Sequence, residues 1–267
     1  MEAKEVTYKL KFFGTGSGSD VEHNNAFFLP NPKTLVFVDL SAVHLEKARG
    51  LLEALRHQVT QVYLCVTHCH PDHISGVTNL VYLVHHYFPG TRLKVFTEAI
   101  VGRSLEKILV QTGAGKSFPN DPSGLYTFAN GYAESRPYWL REIIRTEHAP
   151  KLPGGAVGFV FQIDDVFVVY SGDTNVLEPF SETEAISRYG CIEKQFYLDI
   201  AMSDRKGLHL VYDERLEENL MWLLERQPKL EIIFMHCADK TQLAKRIEQS
   251  ERLSERLKRR IHIAEAS

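Results

Sequence analysis

The sequence predicts an α/β fold in which strands and helices alternate along most of the chain. Short apolar runs typical of buried strands are separated by longer stretches whose apolar residues have helical spacing. Several apolar runs end at a histidine or an aspartate, which places polar side chains at strand ends. Because the chain has 267 residues and an ordinary apolar content of 44%, we expect one domain with a substantial core over residues 1–267.

The first part of the chain predicts a strand-rich start and then a repeat of strand and helix. Runs of β-branched and aromatic residues indicate strands, whereas apolar residues three and four apart indicate helices. We expect strands at residues 7–13, 26–29, 34–39, 62–66 and 92–96, and helices at residues 44–55, 75–86 and 98–110. Ser41 is a suitable N-cap for the first of these helices.

Residues 111–137 are rich in Gly, Pro, Asn and Ser, which predicts an irregular segment, either a lid or a surface loop. Further strands are expected at residues 139–146, 158–163, 166–170, 195–200 and 230–235. Only Asp164 and Asp165 separate the strands expected at 158–163 and 166–170, which indicates a hairpin. Helices are expected at residues 214–226 and 242–260, the last with a basic, solvated face.

The composition disfavours several classes of function. The net charge of -3 disfavours a broad nucleic-acid surface, which is normally basic. The sequence has neither a run of membrane-spanning length nor a signal peptide at its start, so we expect a cytoplasmic protein without a membrane partner. The cysteines show no disulfide-like spacing and are expected to be reduced, at Cys65, Cys69, Cys191 and Cys237.

One short segment concentrates side chains that bind metals. His68, His70, Asp72 and His73 stand within six residues, directly after the apolar run at 62–66. In extended chain, the first two of these histidines face the same way. Burying four such groups without partners would cost several kcal/mol, about the penalty of unpaired buried polar groups. Since imidazole and carboxylate are usual ligands of zinc and similar ions, the segment predicts a metal site.

Three further candidate ligands follow along the chain. His148, Asp173 and His236 each come directly after a predicted strand. A sheet can therefore bring all three to one edge, together with the earlier histidines.

The ordered set of ligands resembles the metallo-β-lactamase fold superfamily, with His68-x-His70-x-Asp72-His73 matching its HxHxDH signature. The resemblance covers nearly the whole chain and implies an αββα sandwich of the metallo-β-lactamase type. It also implies two divalent metal ions that activate water, with zinc expected and manganese or iron as alternatives. The implied assignment gives His68, His70 and His148 to one ion, Asp72, His73 and His236 to the other, and Asp173 to both. Asp72 is in addition a candidate catalytic residue.

Within the superfamily, the chain is most similar to the tRNase Z-like branch. Asp173 stands where the zinc β-lactamases have Cys, which argues against antibiotic hydrolysis. The glycine-rich stretch at residues 13–18 resembles that branch, whereas a dinucleotide-binding reading would require a helix directly after it. Asp199 and His209 resemble the branch's proton-donating acid–histidine pair, although the acid there is Glu. An unrelated salt bridge is the alternative interpretation of these two residues.

The resemblance implies a small phosphodiester as substrate. A tRNase Z normally grips tRNA with a Gly/Pro-rich arm, and the segment between His148 and Gly172 is too short for one. The compact relatives include cyclic-nucleotide phosphodiesterases of the phage anti-Pycsar type, which are homodimers and counter cyclic-nucleotide immune signalling. We therefore expect a homodimeric enzyme that converts 3′,5′-cyclic nucleotides to nucleoside monophosphates. The alternatives are tRNA 3′-processing, lactone or thioester hydrolysis without the Asp199–His209 donor, and a non-enzymatic scaffold.

Overall fold

The computed structural model describes residues 7–16, 22–115, 124–128, 136–149, 152, 155–187, 192–202 and 207–266. Its strands are β1 Lys11–Gly14, β2 Asn25–Asn31, β3 Thr34–Val38, β4 Gln61–Cys65, β5 Leu93–Phe96, β6 Tyr126–Phe128, β7 Leu140–Thr146, β8 Ala156–Ile163, β9 Val166–Tyr170, β10 Glu193–Asp199, β11 Leu230–Met235 and β12 Ile261–Ile263. Its helices are α1 Leu45–Leu55, α2 Pro71–Ile74, α3 Val77–Tyr87, α4 Ala99–Gln111, α5 Glu178–Ser181, α6 Glu184–Ser187, α7 Glu214–Arg226, α8 Lys240–Gln249 and α9 Glu255–Lys258.

The strands form two six-stranded sheets, in the orders β1-β2-β3-β4-β5-β6 and β12-β11-β10-β9-β8-β7. In each sheet one end is an antiparallel meander of three strands and the other strands run parallel. One buried cluster lies between the sheets, and two others lie between a sheet and its own helices. This arrangement confirms the expected αββα sandwich.

Large aromatic side chains fill the space between the sheets. Phe28 of the first sheet contacts Phe161 of the second sheet and Trp139, which directly precedes β7, with ring centroids 4.9 and 5.7 Å apart. All three are almost inaccessible to solvent, and burial of each such side chain stabilises the fold by about 1.5–3 kcal/mol. The packed sheets therefore give a rigid frame to the loops at their edges.

The helix expected at 75–86 is α3, and the single turn α2 precedes it without having been predicted. Gly76 separates the two, and a Cβ atom there would lie 2.7 Å from the Ser41 carbonyl oxygen. The single helix expected at 242–260 is wrong, because this segment forms two helices. α8 ends at Ser250, and α9 begins after Ser254, whose side chain accepts a hydrogen bond from the Leu257 amide. Serine hydroxyls compete with helical backbone bonds, which explains the break.

Two short strands, β6 and β12, were not predicted from the sequence. β6 lies inside the stretch expected to be irregular, and β12 lies after the last predicted helix. Both have three residues and are set by pairing with β5 and β11 rather than by a local pattern. Ser41 precedes a 3₁₀ turn at Ala42–His44, but its side chain makes no capping hydrogen bond.

Some sequence predictions fall outside the described residues. They concern residues 17 and 18 of the glycine-rich stretch, Cys191, and most of the expected lid, residues 116–123 and 129–135. In the part of the chain that the structure describes, no helix combines the length and apolarity needed to traverse a lipid bilayer.

Candidate metal centre

The first group of candidate ligands lies in the corner between β4 and α2. The loop leaves the sheet after β4, and Pro71 begins α2, for which a fixed φ and a missing N–H are well suited. His68 and His73 are fully buried, while His70 is partly exposed. The Nε2 atom of His68 lies 3.0 Å from Nδ1 of His70. The corner therefore directs several nitrogen atoms to one point.

The second sheet brings the remaining candidate ligands to the same place. β9, β10 and β11 run parallel, with Tyr197 opposite Tyr170 and Asp199 opposite Met235. Because parallel strands in register end at one edge of the sheet, the residues that follow them become neighbours. His148 follows β7, Asp173 follows β9 and His236 follows β11 at this edge.

A close backbone contact joins the two sheets beside these residues. The amide of Val157 donates to the Thr67 carbonyl oxygen at 2.9 Å. Gly172 has a φ of +61°, and a Cβ atom there would lie 2.9 Å from the Thr67 side chain. The approach of Asp173 to the histidine corner thus requires glycine at the preceding position.

The side chains fall into two adjoining groups of potential ligand atoms. Within each group, the ligand atoms lie within 4.8 Å of one another. The first group is His68, His70 and His148, and the second is Asp72, His73, Asp173 and His236. All seven residues expected as ligands are therefore brought together.

Asp173 lies between the groups and presents one oxygen to each. Its Oδ2 atom lies 3.8 Å from His68 Nε2 and 3.7 Å from His148 Nε2. Its Oδ1 atom lies 3.4 Å from His73 Nε2. Two donors bound to one tetrahedral zinc ion at about 2.0–2.1 Å would lie about 3.3 Å apart, close to these separations.

The donor set fits divalent metal ions. His73 Nε2, Asp173 Oδ1 and His236 Nε2 are buried and have no hydrogen-bond partner among the described residues. Leaving such atoms unpaired costs about 1–3 kcal/mol each, so native structures rarely tolerate several together. Metal coordination would satisfy all three.

Three of the candidate ligand histidines are oriented by contacts of their Nδ1 atoms. The Nδ1 atom of His148 lies 2.8 Å from the Leu208 carbonyl oxygen, and that of His236 lies 2.9 Å from Asp199 Oδ1. The Nδ1 atom of His68 lies 2.9 Å from Thr67 Oγ1. Such contacts fix the tautomer and ring orientation of metal-binding histidines.

Asp39 has a role at the site that the sequence analysis missed. It ends the run of β3, is fully buried, and contacts His73 Nδ1 at 2.8 Å. Its φ of 57° is unusual for a residue other than glycine, and His236 shares this feature with a φ of 61°. The available signal was an acidic residue ending an apolar strand, which does not identify its partner.

The charges within the cluster are strongly coupled. Burial and the neighbouring His73 lower the pKa of His68, which favours the neutral imidazole that binds metals. Burial opposes ionisation of Asp72, but the interaction of its carboxylate with His73, whose Nε2 atom lies 3.3 Å away, outweighs this and brings the pKa to about 2. Burial likewise opposes ionisation of Asp173, and the charges of His236 and His73 hold its pKa well below the ordinary value. Both carboxyl groups are therefore ionised at neutral pH.

Asp199 and His209 form a pair beside the ligand cluster. His209 Nδ1 lies 2.7 Å from Asp199 Oδ2, and that carboxylate is fully buried. The ring of His209 lies 5.1 Å from that of His148 and 4.9 Å from that of His236. The two residues singled out as a candidate proton donor thus meet next to the candidate ligands.

The described cysteines stand outside the ligand groups. Cys65, Cys69 and Cys237 are free thiols. The sulfur of Cys69 contacts the Val101 carbonyl oxygen at 3.8 Å, and burial raises the pKa of its thiol to about 11. Because the thiolate is the metal-binding form, Cys69 is unsuited to coordination despite its place in the motif.

A comparison with protein families identifies a family that matches nearly the whole chain. The family model described as "Anti-Pycsar protein Apyc1" matches residues 8–260. A sequence search of curated proteins finds no match.

Comparison with solved structures shows the fold. The metallo-β-lactamase fold protein YhfI from Bacillus subtilis aligns with a TM-score of 0.59 at 13% identity, covering 96% of this chain and 95% of that chain. Unliganded yeast PDE1 aligns with a TM-score of 0.58 at 13% identity, covering 96% and 97%. The short form of human tRNase Z aligns with a TM-score of 0.57 at 11% identity, covering 96% of both chains.

Proposed function

The chain belongs to the Anti-Pycsar protein Apyc1 family and is a metal-dependent hydrolase, and we propose that it converts 3′,5′-cyclic nucleotides to nucleoside monophosphates. In this proposal, the metals are two zinc ions, which suit sites rich in histidine. One ion would be held by His68, His70 and His148 and the other by Asp72, His73 and His236, and Asp173 would serve both. The two oxygens of Asp173, directed to different groups, support this assignment.

Bound divalent ions would supply Lewis acidity, which makes water nucleophilic at neutral pH and neutralises charge on a phosphoryl group. The chain's own residues would hold these ions, and most of the candidate ligands are buried from solvent. Asp39 and Asp199 fix the rings of His73 and His236, so the site needs little rearrangement during the reaction.

The observation that carries the proposal is the Asp199–His209 pair at the edge of the cluster. Opening a cyclic phosphodiester requires water to add to phosphorus while one P–O bond to the ribose breaks. The released ribose oxygen is strongly basic and needs a proton, which His209 can donate. Asp199 stabilises the imidazolium form that carries this proton.

The geometry around His148 supports a small substrate over tRNA. Most of the described chain between His148 and Gly172 belongs to β8 and β9, a tight hairpin with Asp164 in its turn. The net charge of -3 also gives little attraction for a long polyanion.

A substrate panel tests the proposal. The purified, zinc-loaded protein is incubated with four 3′,5′-cyclic nucleotides, a linear dinucleotide, a tRNA precursor and a lactone, each with and without a chelator. We expect nucleoside monophosphates from the cyclic substrates, and loss of this activity with the chelator or in His148→Ala. His85→Ala, which changes an exposed histidine of α3, serves as the matched control. Trimming of the tRNA precursor with all cyclic nucleotides intact would contradict the proposal.

We also propose that the chain forms one domain and assembles as a homodimer. The family match over residues 8–260 supports a single unit, and the resemblance to compact cyclic-nucleotide phosphodiesterases supports the dimer. Sedimentation velocity of the purified protein would test the assembly.

A further inference from the structure

We propose that a cavity beside His209 holds the nucleoside part of the substrate, and that Arg215 and Asn219 select the nucleobase. The cavity has a volume of about 340 Å³. Small-molecule sites commonly measure about 300–1,000 Å³, so a nucleoside is of suitable size. This inference rests on the proposed hydrolysis of cyclic nucleotides and adds where the nucleoside lies.

His209 connects the cavity to the candidate metal centre. It lines the cavity, and its ligand atom lies within 4.8 Å of those of His148 and Asp173. Among the described residues, none of the seven candidate ligands lines this cavity. The cavity and the cluster of candidate ligands therefore meet at the proposed proton donor.

The chemistry of ring opening fixes the direction in which the nucleoside extends. A proton donor must lie within hydrogen-bond reach of the leaving oxygen. In a cyclic nucleotide that oxygen belongs to the ribose, which remains attached to the phosphate after one P–O bond breaks. The ribose must consequently contact His209, and the base must occupy space adjoining it. The cavity is space of this kind.

The walls of the cavity are held in place by the fold. On one side, the Leu210 amide donates to the Thr174 carbonyl oxygen at 2.8 Å, and the Ala201 amide donates to the Leu210 carbonyl oxygen at 2.7 Å. On the other side, Asp213 caps α7 by accepting from the Leu216 amide at 2.9 Å, and Leu216 is buried in the core. The cavity therefore exists before any substrate binds.

Arg215 and Asn219 present polar groups to this space. They lie four residues apart on α7 and so share one face of the helix. The Arg215 guanidinium is largely exposed and lies 3.9 Å from a Glu178 carboxylate oxygen. A guanidinium can donate to the acceptor atoms of a base or stack on it, and an amide can both donate and accept. Val176 and Val211 add apolar surface to the lining, as base recognition requires.

Steady-state kinetics on two kinds of substrate test the inference. Wild type, Arg215→Ala and Asn219→Ala are assayed on cyclic nucleotides carrying A, G, C or U, and on methyl p-nitrophenyl phosphate, which lacks ribose and base. We expect KM to rise about tenfold for at least one cyclic nucleotide, with the preference among bases altered and kcat changed less than about twofold. Activity on the small diester should be unchanged. Glu225→Ala, on an exposed part of α7, is the control.

Each remaining outcome is decisive. If both variants keep wild-type constants for all four nucleotides, the cavity is not the nucleoside site, while the proposed hydrolysis stands. If wild type cleaves the small diester but no cyclic nucleotide, the proposed function fails and this inference fails with it. Asn219→Trp, which narrows the cavity, should also raise KM for nucleotides; equal losses on the small diester would overturn the inference. Thermal unfolding checks that each variant is folded.

Discussion

The Oδ2 atom of Asp39 lies 2.8 Å from the Nδ1 atom of His73, and solvent reaches neither side chain. The same carboxylate accepts hydrogen bonds from the Thr67 amide at 2.8 Å and the Thr67 hydroxyl at 2.7 Å. It therefore ties the end of β3 to both ends of the loop that carries the first candidate ligands.

Removing the charge of Asp39 should weaken metal binding. Asp39→Asn keeps the size of the side chain but weakens its interaction with His73, so the ring is less firmly oriented. We expect the metal affinity to fall about 10- to 100-fold, the usual effect of changing such a partner. Competition with a chromophoric chelator measures it. Asp165→Asn, in the exposed β8–β9 turn, is the control, and equal affinities in the two variants would refute the role of Asp39.

The loss of activity on replacing His209 should depend on the leaving group of the substrate. For cyclic nucleotides, His209→Ala removes the proposed proton donor, and kcat should fall about 10²- to 10⁴-fold. For bis(p-nitrophenyl) phosphate the loss should be far smaller, since p-nitrophenolate leaves without a proton. Kinetics on both substrates with metal-saturated protein make the comparison. Similar losses on the two substrates would indicate that His209 does not donate the proton.

Gly172 should tolerate substitution less well than another glycine with positive φ. Gly90→Ala meets open space at a φ of +82° and should destabilise the protein by about 1–2 kcal/mol through backbone strain alone. Gly172→Ala adds contacts of 2.9 Å with the Thr67 side chain and the Val157 carbonyl oxygen, and should cost about 1–3 kcal/mol more. Urea unfolding at equal metal saturation measures both. Equal free energies of unfolding for the Gly172→Ala and Gly90→Ala variants would show that the structure accommodates the Cβ atom at Gly172 without cost.

Removing metal should lower the thermal stability. The cluster leaves several buried polar atoms without partners among the described residues, and bound ions would satisfy them in the folded state only. At a free metal concentration of 100 times Kd, metal binding raises the free energy of unfolding by about 2.7 kcal/mol. A chelator should therefore lower Tm by several degrees. In a His68→Ala variant the chelator-induced shift should be much smaller, and a full shift there would place the stabilising metal elsewhere.

The α/β fold class and the candidate ligands could be predicted because both depend on local patterns, whereas the grouping of the ligands around two ions was implied by the family resemblance. The ligands follow strands, and the order of the strands brings their ends together. The division of the last helix at Ser250 was missed because residues 242–260 contain neither Gly nor Pro to mark a break. β6 and β12 were missed because their neighbours in the sheet determine them. The contact of His148 with the Leu208 carbonyl oxygen has no side-chain signature, so no sequence pattern could reveal it.

The candidate ligands are divided between the two sheets. The corner after β4 supplies His68, His70, Asp72 and His73, whereas His148, Asp173 and His236 belong to the second sheet. Neither half of the chain holds a full coordination sphere by itself. Occupancy of the centre therefore reports that the two halves have docked in register, and a newly synthesised chain would acquire tight metal binding only at the end of its assembly.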